Sequence, residues 1–219
     1  MLEPSLGPTG KIKTARKGVG RFEINVSGKA AHAGLDPGAG ASAILELSHV
    51  IQKLFALNNP DQGISVNVGV IDGGTRANVI APESSAVVDV RVETQTDGQR
   101  IENAIYALQP EDPSVNLSIE GGIGRPPMER TPANRQLWGV ASDLASALNI
   151  DLEQGTAGGG SDGNTTSLYT ATLDGLGAVG DGAHAAHEFI YTDQLPQRCA
   201  LLTTLLLAPP LGVRKEGLI

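Results

Sequence analysis

The order of two hydrophobic periodicities between residues 21 and 120 constrains the fold more than any other feature of this chain. Alternating apolar residues, beginning with Phe22, Ile24 and Val26, predict strands in RFEINVSG, GISVNVGVI, AVVDVRVE and SVNLSIE. Helical spacing predicts helices in AGASAILELSHVIQKLFAL and DGQRIENAIYALQ. The resulting order, strand, helix, strand, strand, helix, strand, predicts a ferredoxin-like βαββαβ domain with both helices on one face of the sheet.

The first predicted helix separates its side chains into two faces. The apolar face is expected to turn toward the core and consists of Ile44, Leu47, Ile51 and Leu54. The other face is polar, and a solvated position is predicted for His49; this face consists of Ser42, Glu46, His49 and Lys53.

The remainder of the chain has the alternating rhythm of an α/β domain. Helices are predicted in TPANRQLWGVASDLASAL and TDQLPQRCALLTTLLLA and at the start of SDGNTTSLY, with short strands in IDLEQGTA and LDGLGAVG. Parallel strands are buried on both faces and need neighbouring strands, which two short segments cannot supply. We therefore expect this region to be part of a larger domain, and the chain to be a fragment.

These patterns predict three segments. Residues 1–17 are a connector, in which the basic stretch KIKTARKG is expected to be solvated. Residues 18–127 are the ferredoxin-like domain, and residues 128–219 are the C-terminal part of the α/β domain. The expected fold class is α/β with an α+β domain.

Composition excludes several classes of function. The net charge of −8 argues against nucleic acid as a partner. No apolar run approaches the roughly 20 residues of a membrane span, and the richest, LLTTLLLA, is predicted to be a core-facing helix. The single cysteine, Cys199, excludes an internal disulfide and is expected to be buried. No signal peptide is visible, but a fragment could have lost one, so the compartment stays undetermined.

Two segments contain histidines that could act in a site. In GDGAHAAHEF, spacing alone does not choose between His184 and His187 as a metal ligand, and Glu188 could orient either ring. In SGKAAHAGLDPG, His32 follows the first strand in a turn of small residues, where a functional and a solvated histidine are equally well supported.

Other residues could bind a carboxylate. The loop GTAGGGSDGN lacks the lysine of a phosphate-binding loop, but its backbone N–H groups could hold an anion ahead of a helix. Arg91 points away from the face of the neighbouring valines, and Arg125 follows a run of glycines. Either guanidinium could clamp a carboxylate, although the residues alone favour surface salt bridges.

Taken together, these segments resemble the two-zinc exopeptidases and deacylases. This family includes glutamate carboxypeptidase, acetylornithine deacetylase, succinyl-diaminopimelate desuccinylase and aminoacylase, and the resemblance is closest to the glutamate carboxypeptidase branch. The matching stretches follow the family order and are LEPS, GKAAHAG, RANVIAP, VDVRV, GRPPME, GGGSDGN and GAHAAHEF. The resemblance implies a ferredoxin-like lid and dimerisation domain inserted into a zinc-binding α/β domain, which makes the fold class α/β with an α+β lid. It also implies that residues 1–17 include the end of an N-terminal catalytic segment and that residues 128–219 are the C-terminal part of the catalytic domain.

The resemblance also implies roles for individual residues. Glu3 and His184 match a ligand of each of two zinc ions, and His187 is not a ligand position. His32 matches the lid histidine that reaches the partner subunit's active site and stabilises the oxyanion. The residues that match the substrate-contacting set are Asn78, Arg91, Arg125, Gly159, Gly160 and Ser161.

The implied function is hydrolysis of a peptide or amide bond by a water that two zinc ions activate while a glutamate accepts its proton. The substrate would be a small peptide or N-acyl amino acid with a free carboxylate, and the protein a homodimer formed through the lid. The family's His-x-Asp motif, bridging aspartate and Glu-Glu pair are absent, so we expect this chain alone to bind zinc weakly and to be inactive. The alternatives are a stand-alone, non-catalytic dimerisation module and a carboxylate-binding module.

Overall fold

A computed structural model describes residues 1–212 of the chain. It divides into two compact units, one of which combines Met1–Lys17 with the described residues from Met128 onward, while the other spans Gly18–Pro127. The helices and strands, in chain order, are β1 (Ile12–Arg16), β2 (Gly18–Ser27), α1 (Ala43–Phe55), β3 (Ser65–Gly73), β4 (Glu83–Val92), α2 (Gln95–Tyr106), β5 (Asn116–Arg125), α3 (Pro132–Ala147), β6 (Gln154–Ala157), α4 (Asp162–Thr166), β7 (Gly180–Asp181), β8 (Phe189–Ile190) and α5 (Leu195–Leu207).

The unit Gly18–Pro127 contains a four-stranded antiparallel sheet in the order β3-β4-β2-β5. Both helices pack on the face formed by the buried members of the alternating strands, such as Phe22 and Val90. The opposite face consists of the other members of the same strands, which are mostly polar, such as Arg21 and Asp89. This arrangement confirms the predicted ferredoxin-like βαββαβ domain, and the two periodicities were sufficient to predict it.

The buried face of α1 differs from the prediction. Ile44 is 48% exposed, whereas Val50 is completely buried and Glu46 only 2% exposed. The Glu46 carboxylate lies inside because it accepts hydrogen bonds from the backbone N–H groups of Glu111 (2.9 Å) and Asp112 (3.0 Å), which follow α2. A buried carboxylate with two backbone donors is satisfied, and helical periodicity cannot predict such a partner.

The other unit contains a two-stranded parallel sheet of β1 and β6. All five residues of β1 are buried, so the expectation of a solvated connector is wrong. The strand is covered by packing around Ile12, which lies in a cluster with Ala141 of α3 and Leu173. A strand buried on both faces has no alternating pattern, and the basic residues of β1 made it resemble a surface segment.

The helix α5 is less buried than its sequence predicted. Leu201 is buried, but Leu206 and Leu207 are 77% and 80% exposed, so the apolar run faces the core only in part. Cys199 is exposed, which overturns its expected burial. Among the described residues, no helix has both the length and the apolar character that crossing a membrane requires.

Candidate functional site

Two of the predicted site residues lie on paired segments of the unit Gly18–Pro127. The backbone N–H of Ala33 donates to the Asn78 carbonyl oxygen at 3.0 Å, and Ile80 N–H donates to Ala31 at 2.9 Å. His32 itself forms a bridge with Val79. The sequence separates His32 from Asn78 by a helix and a strand, but the fold brings their backbones side by side.

The hydrogen bonds of His32 determine which of its ring nitrogens can donate. Its Nδ1 accepts from the backbone N–H groups of Gly34 and Leu35, each at 3.1 Å. A ring nitrogen that accepts hydrogen bonds carries no proton, so the proton lies on Nε2. His32 is exposed and therefore presents one N–H donor to a ligand.

The two predicted carboxylate-binding arginines flank one residue of β2. Val19 pairs with Arg91 of β4 on one side and with Arg125 of β5 on the other. Residues paired across neighbouring strands point to the same face, and strand spacing puts the Cα atoms of the two arginines about 10 Å apart. This is the face opposite the helices, as predicted for Arg91.

The charges of these arginines are not equally available. Arg91 donates to both oxygens of Asp89, from Nε at 2.7 Å and from Nη2 at 2.9 Å, which is a bidentate ion pair. Arg125 is half-buried, and its guanidinium has no hydrogen-bond or ion-pair partner among residues 1–212. Arg125 is therefore the more available of the two for a ligand carboxylate.

The glycine turn, Gly158–Gly160 together with Ser161, precedes α4 in the other unit. Ser161 forms the N-cap of α4, and its capping box with Asn164 fixes the end of the turn. The Ser161 hydroxyl is 2.5 Å from Asp174 Oδ2 and is buried. A Cβ atom added to Gly158 or Gly159 would contact nothing within 4 Å, so the turn has open space beside its backbone.

Glu3 and His184 lie in this same unit. The Glu3 carbonyl accepts from Gly177 N–H at 3.0 Å, and Ser5 N–H donates to Ala178 at 3.0 Å, so Glu3 runs beside the segment that leads to β7. His184 follows β7 in an exposed loop and adopts a left-handed backbone conformation with a φ of 67°. His184 therefore has a backbone conformation that costs a non-glycine residue free energy.

The described residues do not fit a zinc site by themselves. Within residues 1–212 there is no group of three or more His, Cys, Asp or Glu side chains that could hold a metal ion. A zinc ion in a protein needs three or four protein ligands, and Glu3 and His184 are the two ligand positions that the resemblance implies.

Sequence reasoning missed the ion pair that lies beside the glycine turn. Arg16 Nε donates to Asp174 Oδ2 at 2.7 Å, and Arg16 Nη1 donates to the Gly159 carbonyl at 2.7 Å. Both side chains are almost fully buried. The sequence places Arg16 in a predicted solvated connector, and nothing in a single sequence links it to Asp174.

Comparison with known proteins identifies one domain. Residues 14–112 match the model of the peptidase dimerisation domain, and these residues include His32, Asn78 and Arg91. The chain thus contains an M20 peptidase dimerisation domain. It is 23% identical to carboxypeptidase G2 of a Pseudomonas species over 216 residues, which cover 94% of this chain and 51% of that protein. It is 30% identical to N-acetyl-L-cysteine deacetylase of Bacillus subtilis over 196 residues, covering 84% of this chain and 44% of the relative.

Solved structures show the same fold. The aminopeptidase PepT of Bacillus cereus superposes with a TM-score of 0.80 at 22% identity, over 93% of this chain and 55% of PepT. A tripeptidase of Staphylococcus aureus superposes with a TM-score of 0.71 at 19% identity, covering 93% of this chain and 54% of the tripeptidase. The chain thus spans about half the length of the relatives that it matches.

Proposed function

We propose that this chain is the C-terminal portion of a metal-dependent hydrolase that cleaves a peptide or amide bond in a small substrate with a free carboxylate. The observation that carries the proposal is the match of residues 14–112 to the peptidase dimerisation domain. The relatives include a carboxypeptidase and an N-acetyl-amino-acid deacetylase, which supports a short peptide or an N-acyl amino acid as the substrate class.

His32 is proposed to stabilise the negative charge that develops on the substrate carbonyl oxygen. The hydrogen bonds from Gly34 and Leu35 to Nδ1 leave Nε2–H as the single donor of the ring and fix its direction. A donor that is oriented before the reaction stabilises an oxyanion without reorganising. Asn78, whose backbone is paired with that of the His32 loop, is proposed to contact the same substrate.

Arg125 is proposed to bind the substrate carboxylate, with Arg91 at its side. A guanidinium without an internal partner can form two parallel hydrogen bonds with a carboxylate. Arg91 would have to share its charge with Asp89, so its contribution is expected to be smaller. The backbone of the glycine turn is a further proposed contact, since it has space for a ligand beside it.

The metal ions would have to be held largely by groups other than those of the described residues. Glu3 and His184 are proposed as one ligand each for two zinc ions, and the rest would come from polypeptide outside residues 1–212. Residues 1–219 alone are therefore expected to bind zinc weakly and to show no hydrolysis.

The ferredoxin-like unit is proposed to form a homodimer through the β3 edge of its sheet. Val70 and Ile71 of β3 are 60% and 64% exposed, and Ile44 and Leu45 of α1 are about as exposed. Ile44 also lies against Gly74, which follows β3, so these apolar side chains share one edge of the unit. An exposed edge with apolar side chains is a ready surface for pairing with a second copy.

Zinc binding and hydrolysis by the purified 219-residue protein test the proposal. We expect less than one equivalent of zinc per chain and no cleavage of N-acyl-glutamate, while stoichiometric zinc with hydrolysis would overturn the assignment of the missing ligands. The DNA upstream of Met1 gives an independent test. An in-frame extension that encodes His-x-Asp and Glu-Glu motifs supports the proposal, and their absence favours a stand-alone module.

The free guanidinium of Arg125 favours a second candidate, a non-catalytic module that binds small carboxylates. Calorimetric titration with N-acetyl-glutamate discriminates this candidate. Binding that Arg125→Gln abolishes and Arg125→Lys weakens would support it, whereas no binding at millimolar ligand would exclude it.

A further inference from the structure

We propose that Asp174 is a positioning residue that sets the conformation of the glycine turn by acting through Ser161 and Arg16. The geometric part of this inference stands by itself. The functional part, that the turn so positioned contacts substrate, rests on the proposed function.

The Asp174 carboxylate is the centre of the arrangement. It is completely buried, and its Oδ2 accepts hydrogen bonds from Ser161 Oγ at 2.5 Å and from Arg16 Nε at 2.7 Å. Its Oδ1 accepts from the backbone N–H of Gly175 at 2.6 Å. Hydrogen bonds to an ionised group are about twice as strong as neutral ones, and both oxygens are used.

Each of the two side chains bound by Asp174 also forms a hydrogen bond with the glycine turn or with the start of α4. Arg16 Nη1 donates to the Gly159 carbonyl at 2.7 Å, which fixes the middle of the turn. Ser161 Oγ accepts from Gly163 N–H at 3.1 Å while it donates to Asp174, which fixes the end of the turn against α4. The turn is therefore anchored at two points that share one carboxylate.

This anchoring changes what the turn can offer to a ligand. The Ser161 hydroxyl donates its proton to Asp174, and the residue Ser161 is only 6% exposed. This hydroxyl is therefore not free to donate to substrate. The backbone of Gly158 and Gly159 has open space beside it. The inferred contact surface of the turn is thus its backbone, and the buried side chains serve to orient it.

The first test measures the geometry without a ligand. The full ¹⁵N-labelled chain is prepared as wild type and as the variants Asp174→Asn, Ser161→Ala and Ser161→Thr. The control is Asp162→Asn, which changes the exposed carboxylate that follows Ser161 in the sequence. Backbone ¹⁵N relaxation order parameters are measured for Gly158–Gly160 and, as a reference for the rest of the unit, for β1 and β6.

We expect Asp174→Asn and Ser161→Ala to lower the order parameters of the turn from about 0.85, typical of a rigid backbone, to below about 0.6, while those of β1 stay unchanged. Ser161→Thr, which keeps the hydroxyl, should restore the high order parameters, and Asp162→Asn should have no effect. An equal decrease in the turn and in β1 would show a merely structural role and overturn the proposal, as would an unchanged turn. If Asp174→Asn does not fold, the pair Ser161→Ala and Ser161→Thr decides the question.

The second test adds N-acetyl-glutamate and follows the amide shifts of the turn. Shifts at Gly158–Gly160 in the wild type that disappear in Ser161→Ala and return in Ser161→Thr would connect the anchored turn to ligand binding. If the ligand shifts no turn amide in any variant but the order parameters change as expected, substrate contact by the turn fails and the positioning role of Asp174 remains. The two failures are therefore distinguishable.

Discussion

Arg16 and Asp174 form an ion pair of 2.7 Å across 158 positions of the sequence, in an interior where both side chains are almost completely buried. The pair connects β1, which begins the unit, with the segment that follows α4. A buried charge is tolerated when it is paired and hydrogen-bonded, and Asp174 has both kinds of partner. The same pair therefore contributes to the stability of the unit and to the position of the glycine turn.

Replacing one member of the pair should destabilise this unit strongly. Arg16→Ala leaves Asp174 as a buried carboxylate without its cation, and such changes cost about 3–5 kcal/mol in the free energy of unfolding. Urea denaturation measures the change. The matched control is Arg21→Ala, which breaks an exposed pair with Glu23 and should cost about 0–1 kcal/mol. Similar losses for the two variants would contradict the prediction.

The stability of the unit should fall in acid because of Asp174. Burial by itself raises the pKa of Asp174, but hydrogen bonds from Ser161 and Gly175 and the charge of Arg16 outweigh it and hold the pKa below its ordinary value. The folded state thus binds this proton less readily than the unfolded chain. The stabilisation is complete above about pH 4 and is lost as the pH falls through the folded pKa.

Urea unfolding as a function of pH measures this contribution. Below about pH 4, the unfolding free energy of Asp174→Asn should fall less steeply than that of the wild type. Asp162→Asn, which removes an exposed carboxylate, should retain the wild-type slope. Identical slopes for wild type and Asp174→Asn would show that this group does not govern the acid response.

The ferredoxin-like unit was predictable from the sequence because its strands and helices have one buried and one solvated face. The alternation in β2 and the helical spacing in α1 determine the element order, and the order determines the fold. The residues on the buried face of α1 were less predictable. Glu46 lies inside because it accepts hydrogen bonds from two backbone N–H groups that follow another helix. Periodicity contains no information about such distant partners.

The other unit was harder to predict for a related physical reason. β1 is buried on both faces, so it lacks alternation, and its basic residues include the buried Arg16. The candidate site residues came from the family resemblance, because local sequence left His32 balanced between solvent and ligand and favoured surface salt bridges for Arg91 and Arg125. The pairing of the His32 loop with the Asn78 segment and the partners of Ser161 are properties of the fold alone.

The buried carboxylate of Glu46 should contribute to the stability of the ferredoxin-like unit. Glu46→Gln keeps the size of the side chain but places an amide NH₂ against a backbone donor that needs an acceptor. The expected loss is about 1–3 kcal/mol in unfolding free energy, measured by urea denaturation. Glu23→Gln, an exposed control on β2, should change it by less than about 0.5 kcal/mol. A neutral effect of Glu46→Gln would mean that the interior tolerates the unpaired donor.

The proton of the His32 ring should lie on Nε2, and the turn that follows should keep it there. Gly34→Pro removes one of the two N–H donors to Nδ1, whereas Gly34→Ala keeps it and adds a Cβ at an ordinary contact distance of 3.6 Å from the ring. We expect the excess of the Nε2–H tautomer to fall by about twofold to tenfold in Gly34→Pro and to be unchanged in Gly34→Ala. Long-range ¹H–¹⁵N correlation spectra of the imidazole measure it. A ring proton on Nδ1 in the wild type would refute the assignment.

A charge on the β3 edge should dissociate the proposed homodimer. Ile71→Lys places an ammonium group among the exposed apolar side chains of this edge, and burying it against a second copy would require desolvating the charge. Light scattering after size-exclusion chromatography should show a dimer for the wild type and a monomer for Ile71→Lys. Asn116→Lys adds the same charge to β5, the opposite edge of the sheet, and should leave the dimer intact. Dissociation by Asn116→Lys alone would transfer the interface to β5, and a monomeric wild type at high concentration would exclude a homodimer through either edge.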